Sequence, residues 1–188
     1  MNEISSIITA IAAIISAVVA ALAFSFKFWK WYRRSFKQDF DRYRQVMENI
    51  SVSDIYYFRY WENLYHNFPE ERYDGIHHSA LALSNFHFPR FIDKKLLKKE
   101  RKLIEALIDM TTLMKKRLYY NPSRFVRTTC TIYHQPGGYD ATDPEHRRKV
   151  GEIKTELDNA LDCLIEAYED FLNYGNRKFA ERLPEHDS

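Results

Sequence analysis

Residues 4–26, ISSIITAIAAIISAVVAALAFSF, decide the fold, because they form a run of twenty-three residues without charge, proline or glycine. As an α-helix this run would be about 34 Å long, enough to cross a hydrocarbon core of about 30 Å. A helix is required there, since lipid offers the backbone no hydrogen-bond partners. The sequence therefore predicts a transmembrane helix over 4–26.

The C-terminal flank of this run is aromatic and basic. Between Lys27 and Lys37 there are five basic residues and no acid, whereas the tail 1–3 has no Lys or Arg. Basic flanks stay in the cytoplasm, and aromatic rings settle at the headgroup level. We therefore expect a single-pass protein of the cell inner (plasma) membrane, with a short extracytoplasmic tail at 1–3 and a cytoplasmic C-terminal domain. The predicted membrane-interface residues are Lys27, Trp29, Lys30, Trp31, Arg33 and Arg34.

A cleaved signal peptide is the main alternative to this transmembrane helix. Residues 21–23 (ALA) resemble a small-x-small cleavage site. However, the positive charge follows the apolar run instead of preceding it, and the run is longer than a typical signal-peptide core. Both features favour an anchor that stays in the membrane.

On a helical wheel, residues 4–26 sort by size. Isoleucine, valine and leucine occupy one half of the circumference, and alanine, serine and threonine occupy the other, with Phe24 as the chief exception. Small faces let transmembrane helices approach closely. We therefore predict a homo-oligomer whose association or pore face is formed by Thr9, Ala13, Ser16, Ala17 and Ala20. The alternative is an alanine-rich anchor in which this sorting has no function.

The rest of the chain has the periodicity of an all-α protein, a helical bundle that continues from the transmembrane helix. Helical spacing of apolar residues runs on to about Asn49, through a basic and aromatic juxtamembrane helix at 27–50. A cytoplasmic helical domain at 51–175 and a C-terminal tail at 176–188 follow. Within the domain we expect a helix at 54–67 capped by Ser51 or Ser53, a loop at 70–75, helices at 76–86, 91–120 and 144–174, an ordered loop or short β-hairpin near 123–141, and a C-cap at Gly175.

The sequence has no recognisable catalytic constellation. It lacks a phosphate-binding glycine loop, a zinc-ligand spacing and a nucleophile elbow, so we expect no enzyme, no metal site and no cofactor. The adjacent pair His77 and His78 would point about 100° apart on a helix, which makes it a poor chelate. Cys130, with basic neighbours and His134 four residues on, is the alternative candidate for a reactive thiol. Two isolated cysteines fit a reducing cytosol.

Residues 115–127 (KKRLYYNPSRFVR) alternate basic and aromatic side chains at the end of a predicted helix. Basic groups neutralise phosphates, and aromatic rings offer faces on which bases stack. The pattern predicts a site for a nucleotide or single-stranded nucleic acid formed by Lys115, Lys116, Arg117, Tyr120, Arg124 and Arg127. In one alternative, the basic side of helix 91–120 pairs with the acidic side of helix 144–174. In another, it faces anionic headgroups.

Two functions follow from this organisation. The first is an oligomeric, pore-type effector whose permeability is controlled by the cytoplasmic domain. In layout, a transmembrane segment joined to a cytosolic sensing domain, the chain is similar to the small single-span membrane effectors of bacterial antiphage defence. That resemblance implies an ion channel used in antiviral defence. The second function is a membrane-anchored scaffold or adaptor that recruits a cytosolic protein partner.

Overall fold

The computed structural model describes residues 2–61, 66–84, 89–121, 129–134 and 139–180, and for residues 2–13, 120, 121 and 129 it describes the backbone alone. Within these ranges the chain is all-α, as predicted, with a small antiparallel sheet. The elements are α1 (Asn2–Asn49), α2 (Val52–Arg59), β1 (Phe68–Pro69), α3 (Glu70–Ser84), α4 (Lys94–Arg117), β2 (Tyr119–Asn121), β3 (Thr129–Thr131) and α5 (Pro144–Ala180).

Helix α1 is a single uninterrupted helix of 48 residues that ends at Asn49, where the sequence predicts its end. At 1.5 Å per residue it is about 72 Å long, more than twice the thickness of a hydrocarbon core. Every described side chain from Ile14 to Trp31 is exposed, and burial begins at Ser35. The described side chains of the N-terminal half of α1 are therefore exposed and mostly apolar, whereas the C-terminal half packs against the core of the domain.

The apolar half is long and apolar enough to cross a membrane by length and composition. The candidate lies within Ile14–Asn49, has a mean hydropathy of 1.4, and has none of its most apolar window buried. A helix in the core of a soluble protein would bury this surface, because exposed apolar area costs free energy in water. The predicted membrane-spanning capacity of the N-terminal helix is thus confirmed.

Helices α4 and α5 form the centre of the domain and run antiparallel. Lys99 contacts Asp170 near one end of the pair, and Arg117 contacts Glu156 near the other. Leucine and methionine at every third or fourth position of α4 face the apolar stripe of α5, as an amphipathic pair requires. The fully buried side chains of this seam include Leu103, Leu107, Met110, Met114, Leu164 and Phe171.

The small sheet closes the end of the domain where α4 stops. Strand β3 is central and pairs antiparallel with β1 on one side and β2 on the other, with Cys130 opposite both Phe68 and Tyr120. The sequence predicts an ordered loop or a short β-hairpin near 123–141. Strand β3 lies in that range, but its partner β2 lies before it and begins at Tyr119, inside the predicted helix 91–120. The residues that join the two strands, 122–128, lie outside the described part of the chain.

The predicted loop at 70–75 is wrong, because these residues form the first turns of α3. Glu70 and Glu71 lie where the helix dipole favours negative charge. Gly75 has a low helix propensity, but the packing of α3 against α2 requires a glycine at this position. A Cβ there would lie 1.8 Å from the Asp54 carboxylate of α2. Arg72 holds that carboxylate at 2.8 Å. Close approach of α2 and α3 therefore overrides the low helix propensity of glycine.

The predicted helix 54–67 is α2, which begins two residues earlier and ends at Arg59. Ser51 occupies the N-cap position, but its hydroxyl donates to the Asp54 side chain and makes no capping bond to a backbone N–H. The two N–H groups of Asp54 and Ile55 are bonded to the Ser51 carbonyl oxygen instead. Ser51 therefore occupies the N-cap position of α2, but its side chain does not cap the helix.

The predicted C-cap at Gly175 is also wrong, because α5 continues through it to Ala180. Gly175 is buried against the ring of Tyr43 on α1, and a Cβ on it would lie 2.1 Å from Tyr43 Cε2. The Tyr43 hydroxyl donates to the Asn176 side chain at 2.8 Å. The glycine therefore serves the contact between α1 and α5, and not the end of a helix.

Candidate functional site

The candidate site is a pocket of about 340 Å³ where the end of α4, the small sheet and the first turns of α5 meet. Its lining includes Lys116 and Arg117 from α4 and Tyr119 from β2. The segment after β3 and helix α5 complete it with Ile132, Tyr133, His134, Lys149, Glu152, Ile153 and Glu156. The pocket is therefore polar, with an aromatic rim.

The positive charges of the pocket are only partly neutralised by the chain itself. Arg117 pairs with Glu156 at 3.0 Å, and Lys149 pairs with Glu145 at 2.9 Å. Lys116 is exposed and has no ion-pair partner among the described residues. It is therefore the cation most available to an anionic ligand.

The aromatic rings that line the pocket are those of Tyr119, Tyr133 and His134. Tyr119, which is 49% exposed, lies 5.1 Å from the ring of His134, with 34° between the planes. Tyr133 is buried and contacts the edge of Tyr139 at 6.2 Å. Exposed aromatic faces next to an unpaired lysine are the combination that binds a base and its phosphate.

The predicted ligand residues are distributed unevenly around this pocket. Lys116 and Arg117 line it, whereas Lys115 is exposed and lies next to it in sequence without lining it. Tyr120 lies in β2, where the structure describes its backbone but not its side chain. Arg124 and Arg127 lie outside the described residues. The pairing alternative is confirmed for two contacts, Lys99 with Asp170 and Arg117 with Glu156.

Sequence reasoning missed Tyr119, Tyr133, His134 and Lys149. Tyr119 and Lys149 carry the same kinds of group as the predicted residues, but Lys149 is more than thirty residues away in the chain. Only the antiparallel return of α5 brings it to the end of α4. No pattern within either segment predicts that Lys149 lies near the end of α4. The predicted pairing of helices 91–120 and 144–174 indicates only that the two helices lie side by side.

Neither Cys130 nor the His77–His78 pair has the surroundings of a reactive thiol or of a metal site. Burial, together with the negative charges of Glu70 and Asp74, raises the pKa of the Cys130 thiol to about 11, opposite to the shift that activates a nucleophile. The His77 ring stacks on Tyr73 at 5.6 Å and lies 6.4 Å from the His78 ring. Among the described residues, no group of three or more His, Cys, Asp or Glu could hold a metal ion.

An ionic clamp joins α1 to the first residue before α4 and to the last turn of α5. Asp39 of α1 is 3% exposed and accepts from the Ile92 N–H at 2.6 Å, and Lys178 of α5 bridges Asp39 at 2.9 Å and Asp93 at 2.7 Å. Asp93 also caps α4 by accepting from the N–H of Lys95 at 2.7 Å. One lysine and two carboxylates therefore hold three helices together.

The ionisation of this clamp favours its charged form. Burial alone would raise the pKa of Asp93, but the hydrogen bonds from Lys178 and from the N–H groups of Leu96 and Lys95 outweigh it and lower the pKa. Burial alone would lower the pKa of Lys178, but Asp93 and Asp39 outweigh it and raise the pKa. Both shifts favour the charged pair over its neutral forms.

A second, deeper pair ties α1 to α4. Arg42 donates to Glu100 at 2.7 Å, and the two side chains are 7% and 6% exposed. Burial raises the pKa of Glu100, although the charge and hydrogen bond of Arg42 oppose this shift. Removing either partner would leave an uncompensated buried charge.

The predicted membrane-interface residues lie on the exposed stretch of α1. Lys27, Trp29, Lys30, Trp31, Arg33 and Arg34 are all exposed, Arg33 lies 5.0 Å over the Trp29 ring, and Trp29 stacks with Tyr32 at 6.1 Å. On the predicted association face, Ser16, Ala17 and Ala20 are exposed. For Thr9 and Ala13 the structure describes the backbone alone.

A shallow groove of about 430 Å³ runs along the outer side of the α4–α5 pair. One wall is a stripe of α4 from Lys102 to Asp109, and the other is a stripe of α5 from Asn159 to Asp170. The inner sides of the same helices form the core seam, so the groove is the opposite, uncovered side.

No protein-family model, no curated protein and no solved structure matches the chain.

Proposed function

We propose that the protein is an oligomeric, single-span membrane protein whose small-faced span forms a regulated pore, and whose cytoplasmic bundle controls that pore. The supporting observation is that α1 continues without a break from its exposed apolar half into the core, where the Asp39 clamp and the Arg42–Glu100 pair fix it. A rearrangement of α4 and α5 would therefore move the span directly.

In this proposal the pocket at the end of α4 is the input. Lys116 supplies an unpaired positive charge, and the Tyr119–His134 pair supplies a stacking surface, so a phosphate-bearing ligand such as a nucleotide or single-stranded nucleic acid suits it. Helices α4 and α5 both extend from this pocket to the clamp at α1. A ligand that changes their packing at one end would therefore act on the span at the other.

Potassium leakage from liposomes that contain the full-length protein tests the pore. We expect leakage from the wild type, and its loss in Ala13→Leu/Ala17→Leu, because added bulk would separate the helices. The matched control Ile15→Leu/Val18→Leu changes the large-residue side and should leak like the wild type. Equal leakage from all three proteins, or none from the wild type with and without nucleotide, would contradict the pore.

A titration with a labelled mononucleotide and a labelled single-stranded oligonucleotide tests the ligand site separately. Lys116→Glu should weaken binding about tenfold or more, because it reverses the charge of the lysine that has no partner among the described residues. Lys115→Glu makes the same charge change one residue outside the lining and should weaken binding much less. Equal losses in the two variants, or no salt-sensitive binding by the wild type, would remove the ligand from the proposal.

The second candidate function is the membrane-anchored scaffold, and the uncovered α4–α5 groove is the observation that favours it. In a scaffold the span only tethers, so an unrelated transmembrane helix in place of residues 4–26 should preserve function in cells. In a pore the same replacement should abolish it. This replacement therefore separates the two candidates.

A further inference from the structure

Four acids line the α4–α5 groove, and three of them have no partner in the described part of the chain, whereas the fourth, Asp170, pairs with Lys99. Glu105, Asp109 and Glu166 are exposed and make no hydrogen bond or ion pair within the described part of the chain. By contrast, α5 acids outside the groove are paired, for example Asp162 with Arg59 at 3.0 Å and Glu152 with Arg148 at 2.6 Å. Lys102 lines the groove as well, so three unpaired carboxylates against one lysine leave the concavity with a net negative charge.

The floor of the groove is made of small side chains. Ala106 from α4 and Ala160 and Ala167 from α5 are half-buried, and Cys163 is exposed between the two α5 alanines. Small residues between two helices leave room for the ridge of a third helix. The groove is therefore apolar at its base and acidic along its rim.

The dimensions of the groove match a short helix. Its α5 wall spans Asn159 to Asp170, eleven residues apart, which is about 16 Å of helix, or three turns. We propose that this groove binds an amphipathic helix of about three turns from a partner protein, with leucine-sized residues on the alanine floor and Lys or Arg against Glu105, Asp109 and Glu166. The inference does not depend on whether the span conducts ions.

A second copy of this chain is a poorer occupant. Asp39 of α1 accepts from the N–H of Asp93, the N-cap of α4, at 3.2 Å, and Arg42 of α1 pairs with Glu100 of α4, so the two helices run in the same direction. Copies in one membrane would therefore present their grooves at the same level, with acids opposite acids. Like charges placed together across an interface cost free energy. Charge complementarity favours a basic partner.

The test uses a fourteen-residue helical peptide with leucine on one face and lysine on the other, and a matched peptide with glutamate in place of lysine. The full-length protein is held in nanodiscs of zwitterionic lipid. The readout is the alkylation rate of Cys163, which is exposed at the groove floor, whereas Cys130 is buried and serves as the unreactive internal control. This local readout does not respond to peptide that binds only to lipid.

We expect the lysine peptide to slow Cys163 alkylation at least tenfold at saturation, and the glutamate peptide to leave it unchanged. Glu105→Lys/Glu166→Lys should weaken the protection at least tenfold. The control Glu145→Lys/Glu152→Lys makes the same charge change on paired acids away from the groove, and it should change the affinity by less than threefold.

Three results would overturn the proposal. The first is unchanged Cys163 alkylation with the lysine peptide, and the second is an equal loss of affinity in the control variant. The third is protection of Cys163 that rises with protein density in the nanodisc without any peptide, which would assign the groove to a second copy. None of these results bears on leakage through the span, so failure here and failure of the pore remain distinguishable.

Discussion

The contact between Gly175 and Tyr43 predicts opposite effects for the same substitution at two positions of α5. Gly175 is buried in the helix, and a Cβ there would lie 2.1 Å from Tyr43 Cε2 and 2.6 Å from two other ring atoms. Gly151 lies in the same helix, and a Cβ there would have nothing within 4 Å. Gly175→Ala should therefore destabilise the protein, and Gly151→Ala should stabilise it.

The magnitudes follow from packing and helix propensity. Alanine in place of a helical glycine gains about 0.5–1 kcal/mol at an unstrained site. At Gly175 the Tyr43 ring would have to retreat from 2.1 Å to an ordinary contact beyond 3.4 Å, while the Asn176 bond and the Phe171 and Phe179 rings hold it. Overpacking of this kind costs about 1–3 kcal/mol, so after the gain in helix propensity the net loss should be about 1 kcal/mol.

Thermal unfolding of the full-length protein in detergent, followed by circular dichroism, measures both effects. For a chain of this size we expect Tm to fall by about 2–4 °C in Gly175→Ala and to rise by about 1–4 °C in Gly151→Ala. Tyr43→Leu removes the ring, so adding Gly175→Ala to that variant should cost little. A Tm for Gly175→Ala at or above that of the wild type would refute the packing of α1 against α5.

Two further predictions concern the ionic contacts of α1. Arg42→Met should destabilise the protein by about 3–5 kcal/mol, because Glu100 would remain charged and buried, and Arg42→Met/Glu100→Met should recover most of that loss in the same unfolding assay. For the clamp, the lowered pKa of Asp93 means that its contribution is fully present above its unfolded pKa of about 3.9 and is lost as pH falls through the folded pKa. The raised pKa of Lys178 means that its contribution is fully present below its unfolded pKa of about 10.4 and is lost as pH rises through the folded pKa. Glu100, whose pKa is raised, acts in the opposite sense to Asp93 on the acid side. Asp93→Asn should therefore flatten the loss of stability as pH falls below about 4, and a curve parallel to that of the wild type would contradict this assignment.

The long helices were predictable because their signals are local and repeated. The apolar run 4–26 and the helical spacing after it predict α1 to its observed end at Asn49. The apolar stripes of 91–120 and 144–174 likewise predict α4 and α5, and their opposite charges predict that the two helices pair. Periodicity over many turns outweighs any single residue.

The wrong predictions of local structure lie where a contact with a residue distant in sequence decides the backbone conformation. Gly75 and Gly175 suggest a loop and a C-cap, yet each lies inside a helix because a side chain from another helix, Asp54 or Tyr43, occupies the space of its missing Cβ. Of the predicted ligand residues whose side chains the structure describes, Lys116 and Arg117 line the pocket and Lys115 does not. The rest of the described lining comes from β2, the segment after β3 and α5, which tertiary folding brings together.

The central claim is that α1 crosses the membrane and leaves the bundle on the cytoplasmic side. Its most direct test is the labelling of two thiols in sealed, right-side-out membrane vesicles with a maleimide that does not cross lipid: Asn2→Cys at the N-terminus and the native, exposed Cys163 of the bundle. The account predicts that Asn2→Cys reacts in intact vesicles, whereas Cys163 reacts only after the vesicles are opened. Reaction of both thiols from the same side of intact vesicles, or loss of the N-terminus from the membrane-bound protein, would contradict it.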